Sequence, residues 1–178
     1  MKMVILKVLN RINCKLYKKR LEKIVGRKLK DVSVKGKLYF ENNSIIIGNN
    51  VVLYPNITFS GDGKIIIGDN CKIGKDTIIY SNKNGGVSIG HHSIIAAQTY
   101  IIDTNHSTES DEYYSNQPLV SSKVFIGDNV WIGANCTIIK GAYIGNNVVI
   151  GAKSLVNKQI PENTLAFGVP AKVVKMLR

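Results

Sequence analysis

The stretch "VFIGDNVWIGANCTIIKGAYIGNNVVIGAKSLV" (residues 124–156) places an aliphatic residue at every sixth position. These positions are Ile126, Ile132, Ile138, Ile144, Ile150 and Val156. Four positions after each of the first five comes a small or β-branched residue, namely Val130, Cys136, Ala142, Val148 and Ser154. A period of six is neither that of a helix nor that of an ordinary strand, and it indicates a structural repeat.

The same phrase occurs earlier as "IIIGNNVVL" (45–53), "IIIGDNCKIGKDTII" (65–79) and "VSIGHHSII" (87–95). This spacing predicts short strands joined by tight turns, three to a coil, with coils stacked at about 4.8 Å. The aliphatic residues would fill the interior, while glycine and asparagine accept the positive φ of tight corners. The prediction is an all-β solenoid, a left-handed parallel β-helix of hexapeptide repeats.

The positive charge of the chain is concentrated at its N-terminus. Residues 1–30 contain eleven Lys or Arg and one Glu, whereas residues 31–178 contain thirteen bases and eleven acids. Apolar residues recur at roughly helical spacing in this segment, at Ile5, Leu9, Ile12, Leu16, Leu21 and Ile24. We predict a basic amphipathic helical segment in residues 1–30, ending near Val25 with Gly26 as the break, and a β-helix domain in 31–178.

Three roles for the basic segment follow from its composition. The first is docking on the body with a solvated basic face, and the second is contact with an anionic inner membrane surface or a lipid-linked substrate. The third is binding of nucleic acid. Nucleic acid is disfavoured because no recognition motif accompanies the charge. The longest apolar stretch there, Met3 to Leu6, is too short to span a bilayer.

The cysteines point to a reducing compartment. Cys14, Cys71 and Cys136 are widely separated and form no CxxC motif. This pattern favours a cytoplasmic protein and argues against a disulfide framework or a metal site. Cys71 and Cys136 both occupy the small position of the repeat, where we expect inert buried thiols.

The repeat is interrupted once by a long polar segment. Residues 103–123, "DTNHSTESDEYYSNQPLVSSK", separate the rung at Ile101 from the rung at Val124 to Ile126, so we expect a loop that protrudes from the coil. A long polar loop on a rigid scaffold is a common place for function, and this one carries His106. His91 and His92 instead fill corner positions that other rungs give to Asp or Asn.

Residues 124–175, with the closing phrase "GVPAKVVK" (168–175), resemble the hexapeptide-repeat acyltransferases. The resemblance covers about residues 45–175 and is greatest to galactoside, maltose and capsule or lipopolysaccharide sugar O-acetyltransferases. It implies acetyl-CoA as co-substrate and a homotrimer with each active site between two subunits. The N-terminal thirty residues lie outside it, so the identity of the acceptor does not transfer.

The resemblance also implies roles for individual residues. His106 matches the general base of the family. Asp103 lies three residues before it and, from that position, would fix its tautomer or bind an acceptor hydroxyl, with a solvated turn carboxylate as the alternative. Asn82 and Trp131 would face the carbohydrate acceptor. The residues implied for CoA are Trp131, Ala134, Ala152, Asn157, Lys158 and Lys172. No metal is expected.

We therefore expect a cytoplasmic acetyl-CoA-dependent O-acetyltransferase acting on a sugar of a surface polysaccharide or its precursor. N-acetylation of a nucleotide-linked amino sugar is the alternative enzyme activity. A non-catalytic or metal-binding β-helical trimer is a third possibility, since the chain has three histidines and a zinc site could use them.

Overall fold

A computed structural model describes residues 2–177, with side chains from residue 9 onward. The described part of the chain begins with a helix, α1 (Lys2–Val25). Gly26 follows it with φ of +75°, and its N–H donates to the carbonyl of Glu22 at 3.0 Å. The predicted break at Gly26 is confirmed, because glycine accepts this left-handed conformation without strain. The side chain of Ile5, which we placed on the apolar side of the helix, lies outside the described residues.

Among the described residues, twenty-two short strands follow the helix between Ser33 and Met176. In chain order they are β1 (Ser33–Val34), β2 (Leu38–Phe40), β3 (Ile45–Ile47), β4 (Val52–Leu53), β5 (Ile57–Gly61), β6 (Ile65–Ile67), β7 (Lys72–Ile73), β8 (Ile78–Ser81), β9 (Val87–Ile89), β10 (Ile94–Ile95), β11 (Tyr100–Ile102), β12 (Thr104–His106), β13 (Leu119–Ser121), β14 (Val124–Ile126), β15 (Trp131–Ile132), β16 (Thr137–Ile138), β17 (Tyr143–Ile144), β18 (Val149–Ile150), β19 (Leu155–Val156), β20 (Gln159–Ile160), β21 (Thr164–Gly168) and β22 (Ala171–Met176). A single 3₁₀ turn covers Tyr114–Asn116 among the described residues.

The strands form three long sheets that the chain visits in turn. The first sheet has the order β1-β4-β7-β10-β15-β18-β21-β22, the second β2-β5-β8-β11-β16-β19, and the third β3-β6-β9-β14-β17-β20. Pairing within them is parallel except for the closing β21–β22 pair. The predicted parallel β-helix is thereby confirmed, with a C-terminal antiparallel cap.

The sixfold pattern fills the interior as predicted. The aliphatic positions and the small positions of residues 126–156 are all buried, with Ser154 the most exposed at 2%. Cys71 and Cys136 are free thiols within the same core. Burial raises the pKa of both thiols above its ordinary value, which keeps them protonated and unreactive.

Asparagine forms the corners because it tolerates a left-handed backbone. Asn129, Asn147 and Asn163 all have φ between 54° and 57°, and their side-chain amides bond from coil to coil at 2.9 and 3.0 Å. His92 takes the same conformation, with φ of 57°. The assignment of His91 and His92 to a corner is confirmed.

A substitution at one corner tests this explanation. We expect the free energy of unfolding of Asn147→Ala to be about 1 kcal/mol lower than that of Asn147→Gly, because alanine resists positive φ and glycine does not. Both variants lose the same two amide hydrogen bonds, so their difference reports the backbone. Chemical denaturation of the two proteins gives the values. Equal stability of the pair would contradict the explanation.

The helix closes the open end of the solenoid. Leu21 of α1 and Leu29 beyond it are buried in the same core as the coils, and Tyr17 and Ile24 pack against that core. The last two turns of α1 therefore dock on the solenoid. Leu9, Ile12 and Leu16 are about half exposed, at 49% to 57%. Within the described residues, no helix is long and apolar enough to cross a membrane.

The excursion predicted at 103–123 is confirmed, but it is more ordered than a polar loop. It leaves the coil between β11 of the second sheet and β14 of the third, and β12 and β13 pair within it as an antiparallel ribbon. The composition gave no sign of this pairing, since Thr104–His106 and Leu119–Ser121 contain few residues typical of strands. We call residues 103–123 the hairpin.

Candidate active site

The hairpin holds His106 at a fixed and accessible position. His106 is the last residue of β12 and lies opposite Leu119 of β13. One residue farther along, the N–H of Ser107 donates to the carbonyl of Pro118 at 2.9 Å. The side chain of His106 is exposed. Its backbone is thus held by the ribbon while its ring is available to a ligand.

A cavity of about 510 Å³ opens beside this ring. Its lining residues are Tyr80, Ile102, Thr104, Asn105, His106 and Leu119. Tyr80 and Ile102 are neighbours in register on β8 and β11, so the floor of the cavity is the outer surface of the second sheet. An apolar and aromatic floor with one titratable side chain at the rim is typical of small-molecule sites.

Burial raises the pKa of the Tyr100 hydroxyl above its ordinary value, and the nearby Tyr80 adds to the shift. Tyr100 precedes Ile102 by two residues on β11, so it projects from the same outer surface of the second sheet. Its hydroxyl therefore stays protonated at neutral pH. The second sheet thus carries a neutral donor on the surface that forms the cavity floor, although Tyr100 itself is not a lining residue.

Asp103 lies at the root of the hairpin with its side chain fully buried. Its carboxylate accepts hydrogen bonds from the Ser81 hydroxyl at 2.9 Å, from the Asn82 N–H at 2.8 Å and from the Gly86 N–H. These donors belong to the preceding coil. No hydrogen bond joins Asp103 to the ring of His106 within residues 9–177. We expected Asp103 to orient that ring or bind acceptor, but its position in the protomer instead anchors the hairpin.

Asn82 also helps to build the corner. Its backbone donates to Asp103, and its side-chain oxygen accepts the N–H of Asn84 at 3.0 Å. The side chain is 9% exposed. Below it, a Cβ on Gly63 would lie 2.1 Å from the carbonyl oxygen of Asn82, so the stacked turns leave no room between coils. A contact between Asn82 and an acceptor stays a prediction.

Trp131 lies on the opposite side of the molecule from His106. It belongs to β15 of the first sheet, between Ile94 and Val149, and is 56% exposed. The hairpin leaves the corner between the second and third sheets, which faces away from the first sheet in a three-sided coil. One protomer therefore does not bring Trp131 and His106 together.

The remaining residues implied for CoA divide between two corners and the cap. Ala134 and Ala152 stack at the corner between the first and second sheets, where the Lys153 N–H donates to the Ala134 carbonyl at 2.9 Å. Asn157 and Lys158 are exposed on the hairpin's corner, two coils farther along. Lys172 is exposed on β22, at the edge of the first sheet.

The histidines do not assemble into a metal site. The part of the chain that the structure describes contains no group of three His, Cys, Asp or Glu side chains placed to hold an ion. The ring of His91 instead contacts Asp69 at the corner, with Nδ1 3.3 Å from Oδ2. The hydrogen bond from the Asn49 N–H, assisted by His91, lowers the pKa of the Asp69 carboxyl.

Five residues of the cavity were not predicted, although Thr104, Asn105 and Leu119 fall within the predicted excursion; the other two are Tyr80 and Ile102. Tyr80 and Ile102 could have been predicted to be neighbours. Each follows an interior isoleucine by one position, and the two residues lie one coil, or 22 residues, apart. Leu119 enters only through the pairing of β12 with β13, which carries no periodic signal.

Family models match two segments of the solenoid. The model described as "Bacterial transferase hexapeptide (six repeats)" matches residues 123–158. The model described as "Hexapeptide repeat of succinyl-transferase" matches residues 64–102. The two matches flank the hairpin.

Two relatives from Escherichia coli (strain K12) extend the match. "Putative lipopolysaccharide biosynthesis O-acetyl transferase WbbJ" is 43% identical over 123 residues, 65% of this chain and 62% of that protein. "Putative colanic acid biosynthesis acetyltransferase WcaF" is 31% identical over 129 residues, 72% of this chain and 68% of that protein. The chain thus spans less than two thirds of the length of the first relative and slightly more of the second.

A solved structure shares the architecture. A point mutant of AntD, an N-acyltransferase from Bacillus cereus, was solved in complex with dTDP-4-amino-4,6-dideoxyglucose and coenzyme A. It superposes with a TM-score of 0.76 at 26% identity, covering 90% of this chain and 89% of that one. The three-sided coil and the interrupting hairpin define a hexapeptide-repeat protein. With these relatives, the chain belongs to the hexapeptide-repeat acyltransferase family.

Proposed function

We propose that this protein transfers an acetyl group from acetyl-CoA to a hydroxyl of a sugar in a surface polysaccharide or its precursor. The observation that carries the proposal is His106, held exposed on a braced hairpin at the rim of a cavity of about 510 Å³. The names of the two relatives, both acetyltransferases of surface polysaccharide biosynthesis, support the substrate class.

The chemistry needs one base and no covalent intermediate. A thioester is already activated, but a sugar hydroxyl is a poor nucleophile until its proton is removed. His106 as the neutral imidazole takes that proton while the hydroxyl oxygen attacks the acetyl carbonyl. The carbon–sulfur bond then breaks, and the imidazolium returns the proton to the departing CoA thiolate. The ester and the CoA thiol are the products.

The CoA site is proposed between two protomers of a trimer. Trp131 and His106 face opposite sides of one coil, so a second protomer is needed to bring a tryptophan to a histidine. The small side chains of Ala134 and Ala152 leave the stacked corner backbone open to the pantetheine arm. Lys158 and Lys172, both exposed, have the charge to meet its phosphates. Asn157 extends the polar surface beside Lys158.

Acetyl-CoA and three unpaired cysteines are both suited to the cytoplasm, and we propose that location. The proposed acceptor is a carbohydrate, and no nucleic-acid partner is proposed. Asn82 and Trp131 are retained as candidate acceptor contacts across the subunit interface.

N-acetylation of a nucleotide-linked amino sugar is the second candidate. It is favoured by the similarity to AntD, which was solved with an amino sugar joined to dTDP. An amine of low pKa attacks a thioester with less help from a base than a hydroxyl does. The two candidates therefore differ in how strongly the rate depends on His106.

An acceptor panel tests the proposal. Thiol release from acetyl-CoA would be measured with free sugars, amino sugars and nucleotide sugars. We expect acceptors that offer only hydroxyl groups to stimulate release. Stimulation confined to amino sugars would support the second candidate, and release without any acceptor dependence would contradict both.

A further inference from the structure

The exposed side of α1 carries a row of residues that the proposed activity does not use. Leu9, Ile12 and Leu16 follow one another at helical spacing and are 51%, 49% and 57% exposed. The same spacing continues to Lys19 and Lys23, which are also exposed. Residues three and four apart lie on one face of a helix, so these five form one line, which we call the α1 row.

The α1 row points away from the solenoid. The helix docks through Leu21, which is fully buried, and at 3.6 residues per turn Leu21 lies roughly a third of a turn or more from the row. Residues 9–13 are all exposed, so the first described turns stand clear of the body. Three apolar side chains therefore face solvent at one end of the row, and two lysines face it at the other.

Two cavities lie beside the lysine end, and basic residues make up half or more of the lining of each. The larger, of about 610 Å³, is lined by Lys19, Glu22, Lys23, Gly26, Arg27 and Lys28. The second, of about 410 Å³, is lined by Arg20, Lys23, Ile24 and Asn43. Lys23 contributes to both. These cavities have the charge and size for anionic groups such as phosphates.

We propose that α1 docks on an anionic phospholipid surface. Leu9, Ile12 and Leu16 enter the boundary between headgroups and acyl chains, while Lys19 and Lys23 lie against the lipid phosphates. An apolar row with cations beside it is the pattern of helices that bind in the membrane interface. Charge complementarity favours this occupant over a second copy of the chain, which would bring two segments rich in Lys and Arg together.

Sedimentation of the full chain with vesicles tests the docking. Vesicles of phosphatidylcholine with 30% phosphatidylglycerol would be compared with pure phosphatidylcholine, at about 0.1 M and about 0.5 M salt. We expect binding to the anionic vesicles only, weakened at the higher salt. The double variant Lys19→Gln/Lys23→Gln is expected to bind about fivefold more weakly for each lysine removed. The triple variant Leu9→Ser/Ile12→Ser/Leu16→Ser is expected to lose at least about tenfold.

Lys72→Gln/Lys75→Gln is the matched control, because it removes two exposed lysines on the coils and should retain most of the binding. Circular dichroism checks that every variant is folded, and the exposure of the row makes unfolding unexpected. Wild-type protein that stays in the supernatant, or binds both vesicle types equally, overturns the proposal. A second copy of the chain covers the α1 row if wild type does not bind vesicles and the triple variant has a different molar mass from wild type in light scattering. Each readout is independent of acetyl transfer.

Discussion

Replacement of His106 by alanine is expected to lower kcat for acetyl transfer to a sugar hydroxyl by roughly 10²–10⁴-fold. The imidazole acts as the proton acceptor in the transition state, so the KM for acetyl-CoA should change far less than kcat. Thiol release from acetyl-CoA, measured with the acceptor that stimulates wild type most, gives both constants. The cavity floor of Tyr80 and Ile102 does not depend on the His106 ring, so the variant should still bind sugar.

His92→Asn is the matched control for this experiment. It also removes an exposed histidine, and asparagine is the residue that other corners use at the same positive φ. We expect its activity and its stability to match those of wild type. If His106→Ala retains the wild-type rate on a hydroxyl acceptor, His106 is an ordinary surface residue and another base must be sought. A loss of only a few fold on an amino sugar would favour the second candidate function.

Replacement of Asp103 by alanine is expected to lower the free energy of unfolding by about 3 kcal/mol or more. The change leaves the N–H groups of Asn82 and Gly86 without their acceptor, and each unpaired buried donor costs about 1–3 kcal/mol. The Ser81 hydroxyl can still donate to the carbonyl of Lys64, at 3.1 Å. The conservative variant Asp103→Asn keeps one oxygen but presents an NH₂ group to the remaining donors, so an intermediate loss is expected. Chemical denaturation measures both.

Asp111→Ala provides the comparison, because this carboxylate is exposed on the same hairpin, and such a change usually stays within about 0.5 kcal/mol of wild type. If Asp103 anchors the hairpin, limited proteolysis should also cut the hairpin faster in Asp103→Ala than in Asp111→Ala. Unchanged stability of Asp103→Ala would show that the buried hydrogen bonds contribute little. An Asp103→Asn variant with normal stability but a shifted pH profile would instead indicate that Asp103 acts on His106.

The coil could be predicted from the sequence because its rules are local. Ile126, Ile132 and Ile138 repeat every six residues, since every rung must place one aliphatic side chain in the same narrow interior. Asn129 and Asn147 mark corners for a similar reason, because few residues accept positive φ. The position of His106 on an excursion followed from the loss of that period.

The residues around His106 could not be predicted from a local sequence pattern. In a solenoid the neighbours of a residue lie one coil away, so Asp103 meets Ser81 and Asn82 rather than His106, which follows it by three positions. The pairing of His106 with Leu119 depends on two strands of three residues each, which are too short to show hydrophobic alternation. The separation of Trp131 from His106 is likewise a property of the closed coil, which a linear motif does not contain.

The chemical linkage in the product tests the proposed function most directly. Protein and labelled acetyl-CoA would be incubated with the sugar that stimulates thiol release most, and the purified product treated with alkaline hydroxylamine. An ester gives up its acetyl group under this treatment, and an amide does not. We predict release of the label from the wild-type product, with little product formed by His106→Ala. Label that stays attached would contradict O-acetylation and establish transfer to an amine.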